Sequence, residues 1–136
     1  VQAKKYILVL TKNELQFMRS VLIIDDAGFD RTIIGALLTQ SGFNVIGEAE
    51  NGKEGIKMAL ELVPDIITLD KMMPDMDGME VLKELSTKNI NSKIVLISGD
   101  DLSSIKNEAQ ALGAKDFLKK PISKSDLKEK LEGLFI

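Results

Sequence analysis

Five positions carry side chains able to act together: the acidic pair Asp25-Asp26, then Asp70, Ser98 and Lys120. Each stands at or just past the end of a short apolar run: VLII, IITL, KIVLI and DFL. Carboxylates brought together repel, two like charges 4 Å apart by about 4 kcal/mol at a surface-like dielectric. A Mg2+ ion answers that repulsion, because it is hard, takes oxygen ligands and suits one or two carboxylates plus a phosphate. A lysine ammonium supplies further positive charge. A carboxylate beside such an ion can act as a nucleophile and form an acyl phosphate. Metal, lysine and hydroxyl can then position and neutralise the transferred group.

Composition narrows the alternatives. The 136 residues contain no histidine and no cysteine. Histidine-based triads, zinc sites and thiol catalysis are therefore excluded. The 18 basic and 21 acidic residues give a net charge of −3 and no clustered positive charge, so nucleic acid is not an expected partner. No apolar run approaches the roughly 20 residues of a membrane helix, and no signal peptide is legible, so membrane insertion is not expected and a cytoplasmic location is.

The elements that must position these residues alternate in type. Strand-like runs fall at 21–24, 44–50, 66–69, 93–98 and 116–118. Between and after them lie helical patterns. The first carries Ile33, Ile34, Leu37 and Leu38 and stops at Ser41-Gly42. The second carries Ile56, Ala59, Leu60 and Val63 and stops at Pro64. The third carries Val81, Leu82 and Leu85. The fourth spaces Leu102, Ile105, Ala109 and Leu112 and stops at Gly113; the fifth starts near Ser123 and turns Leu127, Leu131 and Leu134 inward. Continuous apolar strands imply a sheet covered on both faces, hence parallel. Five β–α units with right-handed crossovers give a doubly wound α/β fold. In such a sheet the carboxyl ends of the strands form the ligand-binding rim, which brings Asp25, Asp26, Asp70, Ser98 and Lys120 together.

The segments VLIIDD, DIITLDKMMPDMDG, KIVLIS and GAKDFLKKP, in that order, resemble the receiver domain of two-component response regulators. The resemblance runs over residues 21–136. Asp-Asp-Ala-x-x-x-Arg (Asp25 to Arg31) and Gly-Glu-Ala-Glu-Asn-Gly (Gly47 to Gly52) look most like the single-domain chemotaxis regulators. The resemblance implies a flavodoxin-like sheet of order 2-1-3-4-5 with five helices. It implies Asp70 as phospho-acceptor and Mg2+ held by Asp26 directly, Asp25 largely through water, Asp70, and the backbone carbonyl of Met72. Ser98 and Lys120 would contact the phosphoryl group, the Lys120–Pro121 bond is often cis in the family, and Phe117 matches an aromatic that turns inward on activation. The donor would be a histidine kinase or phosphotransfer protein. The output would be altered affinity for a partner docking on the fourth helix, fifth strand and fifth helix. Hydrolysis of the acyl phosphate would reset the protein. The chain ends after the fifth helix, so output through docking is expected if it is complete. The alternative is a constitutive interaction module of the same fold that needs no phosphorylation.

Other residues read more plainly. Asp75 and Asp77 lie in a turn bracketed by Pro74 and Gly78 and are expected to be turn and helix-cap residues rather than ligands. Met72 and Asp100 would border the phosphoryl group. Lys119 points opposite to Lys120 by strand alternation. Lys124, Lys128 and Lys130 read as a solvated face on the partner surface. Residues 1–20 fall outside the pattern. They read as a leader or extension that is partly disordered or lies against the domain; the alternative is that residues 6–10 (YILVL) add a sixth strand to a sheet edge, in cis or in trans.

Overall fold

A computed structural model describes Thr11 and residues 19–135. The expectation for residues 6–10 lies outside that range. Five strands and five helices alternate: β1 (Ser20–Ile24), α1 (Gly28–Gln40), β2 (Asn44–Ala49), α2 (Gly52–Leu62), β3 (Ile66–Asp70), α3 (Gly78–Ser86), β4 (Lys93–Ser98), α4 (Lys106–Ala111), β5 (Ala114–Lys119) and α5 (Lys124–Gly133). The strands pair in parallel in the order β2-β1-β3-β4-β5. The chain order reverses direction at β1, so the crevice between β1 and β3 is the topological switch point.

The continuous apolar runs are explained by two cores, one on each face of the sheet. Leu22, Ile24, Ile67 and Leu69 pack with Ile56 and Ala59 of α2, Val81, Leu82 and Leu85 of α3, and Ala109 of α4. Val21, Ile23, Ile66 and Val95 alternate onto the other face and pack with Ile34 and Leu38 of α1 and Leu127 and Leu131 of α5. Strand residues alternate faces, so a strand covered on both sides must be apolar throughout. The inner strands β1, β3 and β4 are buried almost end to end, whereas the edge strands β2 and β5 mix buried with exposed positions.

Helix ends follow their residues. Gly42 (φ 89°) and Gly113 (φ 108°) end α1 and α4 in the left-handed region. Ser123 caps α5 by accepting from the Asp126 N–H at 3.1 Å. Three expectations need correction. The fourth helix begins at Lys106, not near Leu102. The Ser103 N–H donates to the Asp101 side chain at 2.9 Å, and such a local bond competes with helical hydrogen bonding. Leu60 and Val63 belong to the helical pattern of α2 but stay exposed, as does Ile33 on α1. Lys130 is not merely solvated: its ammonium donates to the Phe117 carbonyl and pairs with Asp116 at 3.9 Å, tying α5 to β5.

Candidate functional site

The rim is built from strand ends held in register by backbone hydrogen bonds. Asp25 follows β1, and its N–H donates to the Ala49 carbonyl at 3.1 Å, carrying the β1–β2 ladder one residue further. Its carboxylate accepts from the Ala27 N–H at 2.9 Å, and its carbonyl accepts from Arg31 at 2.7 Å. Asp70 ends β3. The next residue, Lys71, donates to the Ile97 carbonyl and accepts from the Gly78 N–H at 2.7 Å, which closes the 71–77 loop over the strand end. A Cβ at Gly78 would lie 2.6 Å from the Asp70 carbonyl oxygen and 2.7 Å from the Lys71 Cα, so only glycine permits that closure. Within the loop, Asp77 caps α3 through the Glu80 N–H at 3.1 Å. Asp75 reaches across to α2 and accepts from the Gly52 N–H at 3.2 Å. What burial Asp75 has opposes its charge, but the N–H groups of Gly52, Lys53 and Met76 outweigh it and hold the carboxyl below the usual range. Both are capping residues, as their turn setting implied, although Asp75 caps a helix other than the one it precedes.

Asp25, Asp26 and Asp70 each place a carboxylate oxygen within 4.8 Å of the others. Asp25 and Asp70 are buried and Asp26 is exposed. Lys120 enters from past β5, after its N–H has bonded the Ser98 carbonyl at 2.8 Å; its bond to Pro121 is cis. Its ammonium lies 2.8 Å from Asp30, 2.9 Å from Asp25 and 3.4 Å from Asp70. Burial, then the neighbouring charge of Asp25, pushes the Asp70 carboxyl up to about 6, against the pull of Lys120 and the Met72 N–H. Burial opposes the charge of Lys120, but hydrogen bonds to Asp30 and Asp25 overcome it and hold the ammonium well above the ordinary lysine range.

The donor chemistry fits a hard divalent cation. Three carboxylates meet beside a single ammonium, and one carboxyl is left so poorly compensated that it holds its proton more tightly than an ordinary aspartate. All the side-chain donors are oxygens, as Mg2+ requires. Met72 stands in the loop right after Asp70, its side chain exposed and its N–H bonded to the Asp70 carboxylate. Ser98 is fully buried at the end of β4, where its Oγ accepts from the Asp100 N–H at 3.0 Å. Asp100 is exposed beside it. Phe117 is turned inward and buried, under the Lys106 ammonium at 5.3 Å from the ring centroid. Lys119 is exposed and Lys120 half-buried, as alternation requires.

Asp30 was not legible as a site residue. It makes the shortest contact to Lys120, yet it sits in the first turn of α1 amid a helical pattern. The one local signal was an acid in the first turn of the helix that follows the Asp25-Asp26 strand end.

An α/β sheet of this order, with an acidic switch-point pocket and a lysine facing the acid that ends β3, defines the receiver class of signalling module. Residues 21–132 match the response regulator receiver domain family, and the chain belongs to it. The chain is 41% identical over 113 residues to the chemotaxis protein CheY of Thermotoga maritima, covering 83% of this chain and 94% of that protein. It is 42% identical over 115 residues to the chemotaxis protein CheY of Listeria monocytogenes, covering 85% and 97%. The solved CheX-CheY-BeF3-Mg2+ complex from Borrelia burgdorferi is similar in fold, with a TM-score of 0.83 at 29% identity, over 87% of this chain and 90% of that one. Among the described residues no helix is long and apolar enough to cross a membrane.

Proposed function

We propose that the protein accepts a phosphoryl group on Asp70 and thereby switches its affinity for a partner in a chemotaxis-type phosphorelay. The observation that carries this reading is the meeting of Asp25, Asp26 and Asp70 with the Lys120 ammonium at one strand-end rim. The Asp70 carboxylate attacks phosphorus, and the P–N bond to a donor phosphohistidine breaks. The donor imidazole leaves with the electron pair and is protonated by solvent. These 136 residues hold no histidine, so the phosphohistidine lies outside them, on a histidine kinase or phosphotransfer protein; with acetyl phosphate as donor the P–O bond breaks instead and acetate leaves. Asp26 directly, Asp25 through water, Asp70 and the Met72 carbonyl would hold Mg2+, which when bound supplies positive charge to the phosphoryl oxygens.

Lys120 then pairs with the phosphoryl group. Ser98, an acceptor in its bond to Asp100, keeps its O–H to donate to a phosphoryl oxygen. Its movement changes the packing around Phe117, which is already turned inward, and the surface of α4, β5 and α5 carries the change to the partner. Hydrolysis of the acyl phosphate resets Asp70. On this reading residues 21–136 form the receiver unit, residues 1–20 are an extension, and the protein works in the cytoplasm.

The test is intact mass after incubation with acetyl phosphate and Mg2+, and separately with a panel of phosphorylated histidine kinases. The expected result is a gain of one phosphoryl group, lost with EDTA and lost in Asp70→Asn. A chain that gains nothing from either donor while still binding Mg2+ overturns the proposal.

A further inference from the structure

We propose that Asp30 is a positioning residue that holds the Lys120 ammonium back from Asp70 and so sets how readily the site closes on a phosphoryl group. The inference rests on the phospho-acceptor reading above. An ammonium has three donors, and here they face three carboxylates unequally: Asp30 at 2.8 Å, Asp25 at 2.9 Å and Asp70 at 3.4 Å. The longest contact is the one made to the acceptor. Asp30 stands apart from the three carboxylates whose oxygens gather within 4.8 Å. It projects from the first turn of α1, and its side chain is 34% exposed, so it draws the lysine toward the mouth of the pocket.

Two consequences follow from charge alone. Lys120 must loosen its contact with Asp30 to approach a phosphoryl oxygen. The Asp30 carboxylate also repels an anion seated on Asp70. Both work against the phosphoryl-bound state. Asp30 acts oppositely on a bare cation: holding Lys120 outward limits its competition for Asp70, the longest of its three contacts, and the extra negative charge attracts the ion. Asp30 therefore favours Mg2+ binding and disfavours phosphoryl binding, a pairing that a purely structural role does not produce.

Beryllofluoride, a tetrahedral stand-in for phosphoryl, separates the two in titrations of the full chain. At saturating Mg2+, Asp30→Asn is expected to bind beryllofluoride roughly fivefold more tightly, the scale of one partly exposed ion pair. Its Mg2+ affinity without beryllofluoride should fall by a similar factor. Asp30→Glu, which keeps the charge, should stay near the parent in both. Asp30→Ser should repeat the Asn result, which guards against one variant misfolding; thermal melts check both. Unchanged or weaker beryllofluoride binding in Asp30→Asn and Asp30→Ser overturns the role given to Asp30. A parent chain that binds Mg2+ but never beryllofluoride overturns the phospho-acceptor reading itself, and Asp30's role with it.

Discussion

The two ends of β3 carry an aspartate each, and the protein treats them in opposite ways. At the amino end, Asp65 is closed into a ring of neutral donors. Its carboxylate accepts from the Ser20 N–H at 2.9 Å and the Ser20 hydroxyl at 3.2 Å, while its own N–H donates to that hydroxyl at 2.9 Å. Its carbonyl accepts from Lys93, and the neighbouring Pro64 carbonyl accepts from the buried Ser92 hydroxyl. Every partner there is neutral or main-chain, and the floor of the sheet ties β1, β3 and β4 together. At the carboxyl end, Asp70 faces Asp25 and shares a lysine with two other acids. One end is built for stability. The other is held in an electrostatically unfavourable state that a cation would relieve.

The largest effect expected from that contrast is that removing the rim charge stabilises the protein. A carboxyl raised from 3.8 to about 6 means the folded form holds its proton more tightly than the unfolded one. Stability therefore falls as pH rises from about 4 to about 6 and stays on the lower plateau above. Asp70→Asn carries no such penalty, and Lys120 keeps its two shorter contacts, to Asp30 and Asp25. In the absence of divalent ions the variant is expected to gain up to about 3 kcal/mol at pH 7 and nothing below pH 4. Thermal or urea unfolding of both proteins across that range measures it. A variant less stable than the parent at neutral pH would mean that the rim is not strained by its charge. Added Mg2+ should narrow the gap by stabilising the parent more, since a ligand stabilises the state it binds.

The floor should respond in the reverse sense. Asp65→Ala leaves the Ser20 N–H and hydroxyl without their acceptor, at a cost of about 2 kcal/mol. Urea unfolding reads the loss. The extent of phosphorylation by acetyl phosphate should not change, because Asp65 lies at the far end of the strand from Asp70. A neutral Asp65→Ala would erase the distinction between the two ends.

What the sequence made legible follows the same division. The rim acids were visible because each ends an unbroken apolar run, and runs of that kind are forced by a sheet buried on both faces. Asp25, Asp26, Asp70 and Ser98 could be placed from that alone, whereas Lys120 was separated from Lys119 by the resemblance and by strand alternation; the order of all five along the chain carried the family. Asp30 was not visible, because its partner is 90 residues away and nothing in a helix pattern encodes where a distant loop delivers a lysine. The start of α4 was misread because Leu102 and Ile105 keep helical spacing, and Leu102 is buried without being helical. Spacing reports which side chains face the core and does not report the hydrogen bonds of Asp101 that delay the helix. The bond from Lys130 to Phe117, and the ring linking Ser20 to Asp65, are long-range pairings of ordinary polar residues. No local pattern announces them.

The smallest effect concerns strain at the floor. Val63 ends α2 in the left-handed region, with φ 45° and ψ 60°. A β-branched residue is poorly suited there, because its Cβ crowds the backbone. The residue is 58% exposed, so little packing offsets the strain. Asn tolerates this conformation far better, and Val63→Asn is expected to gain about 1 kcal/mol in urea unfolding. Labelling by acetyl phosphate should stay unchanged. The rim offers no equivalent relief: Gly78 already has the residue its close approach demands, and any side chain there would press on the backbone of Asp70 and Lys71. Strain at Val63 is therefore removable without touching chemistry, whereas the repulsion around Asp70 is inseparable from the site. A Val63→Asn variant that unfolds more easily than the parent would show that the floor, too, depends on its unfavourable geometry.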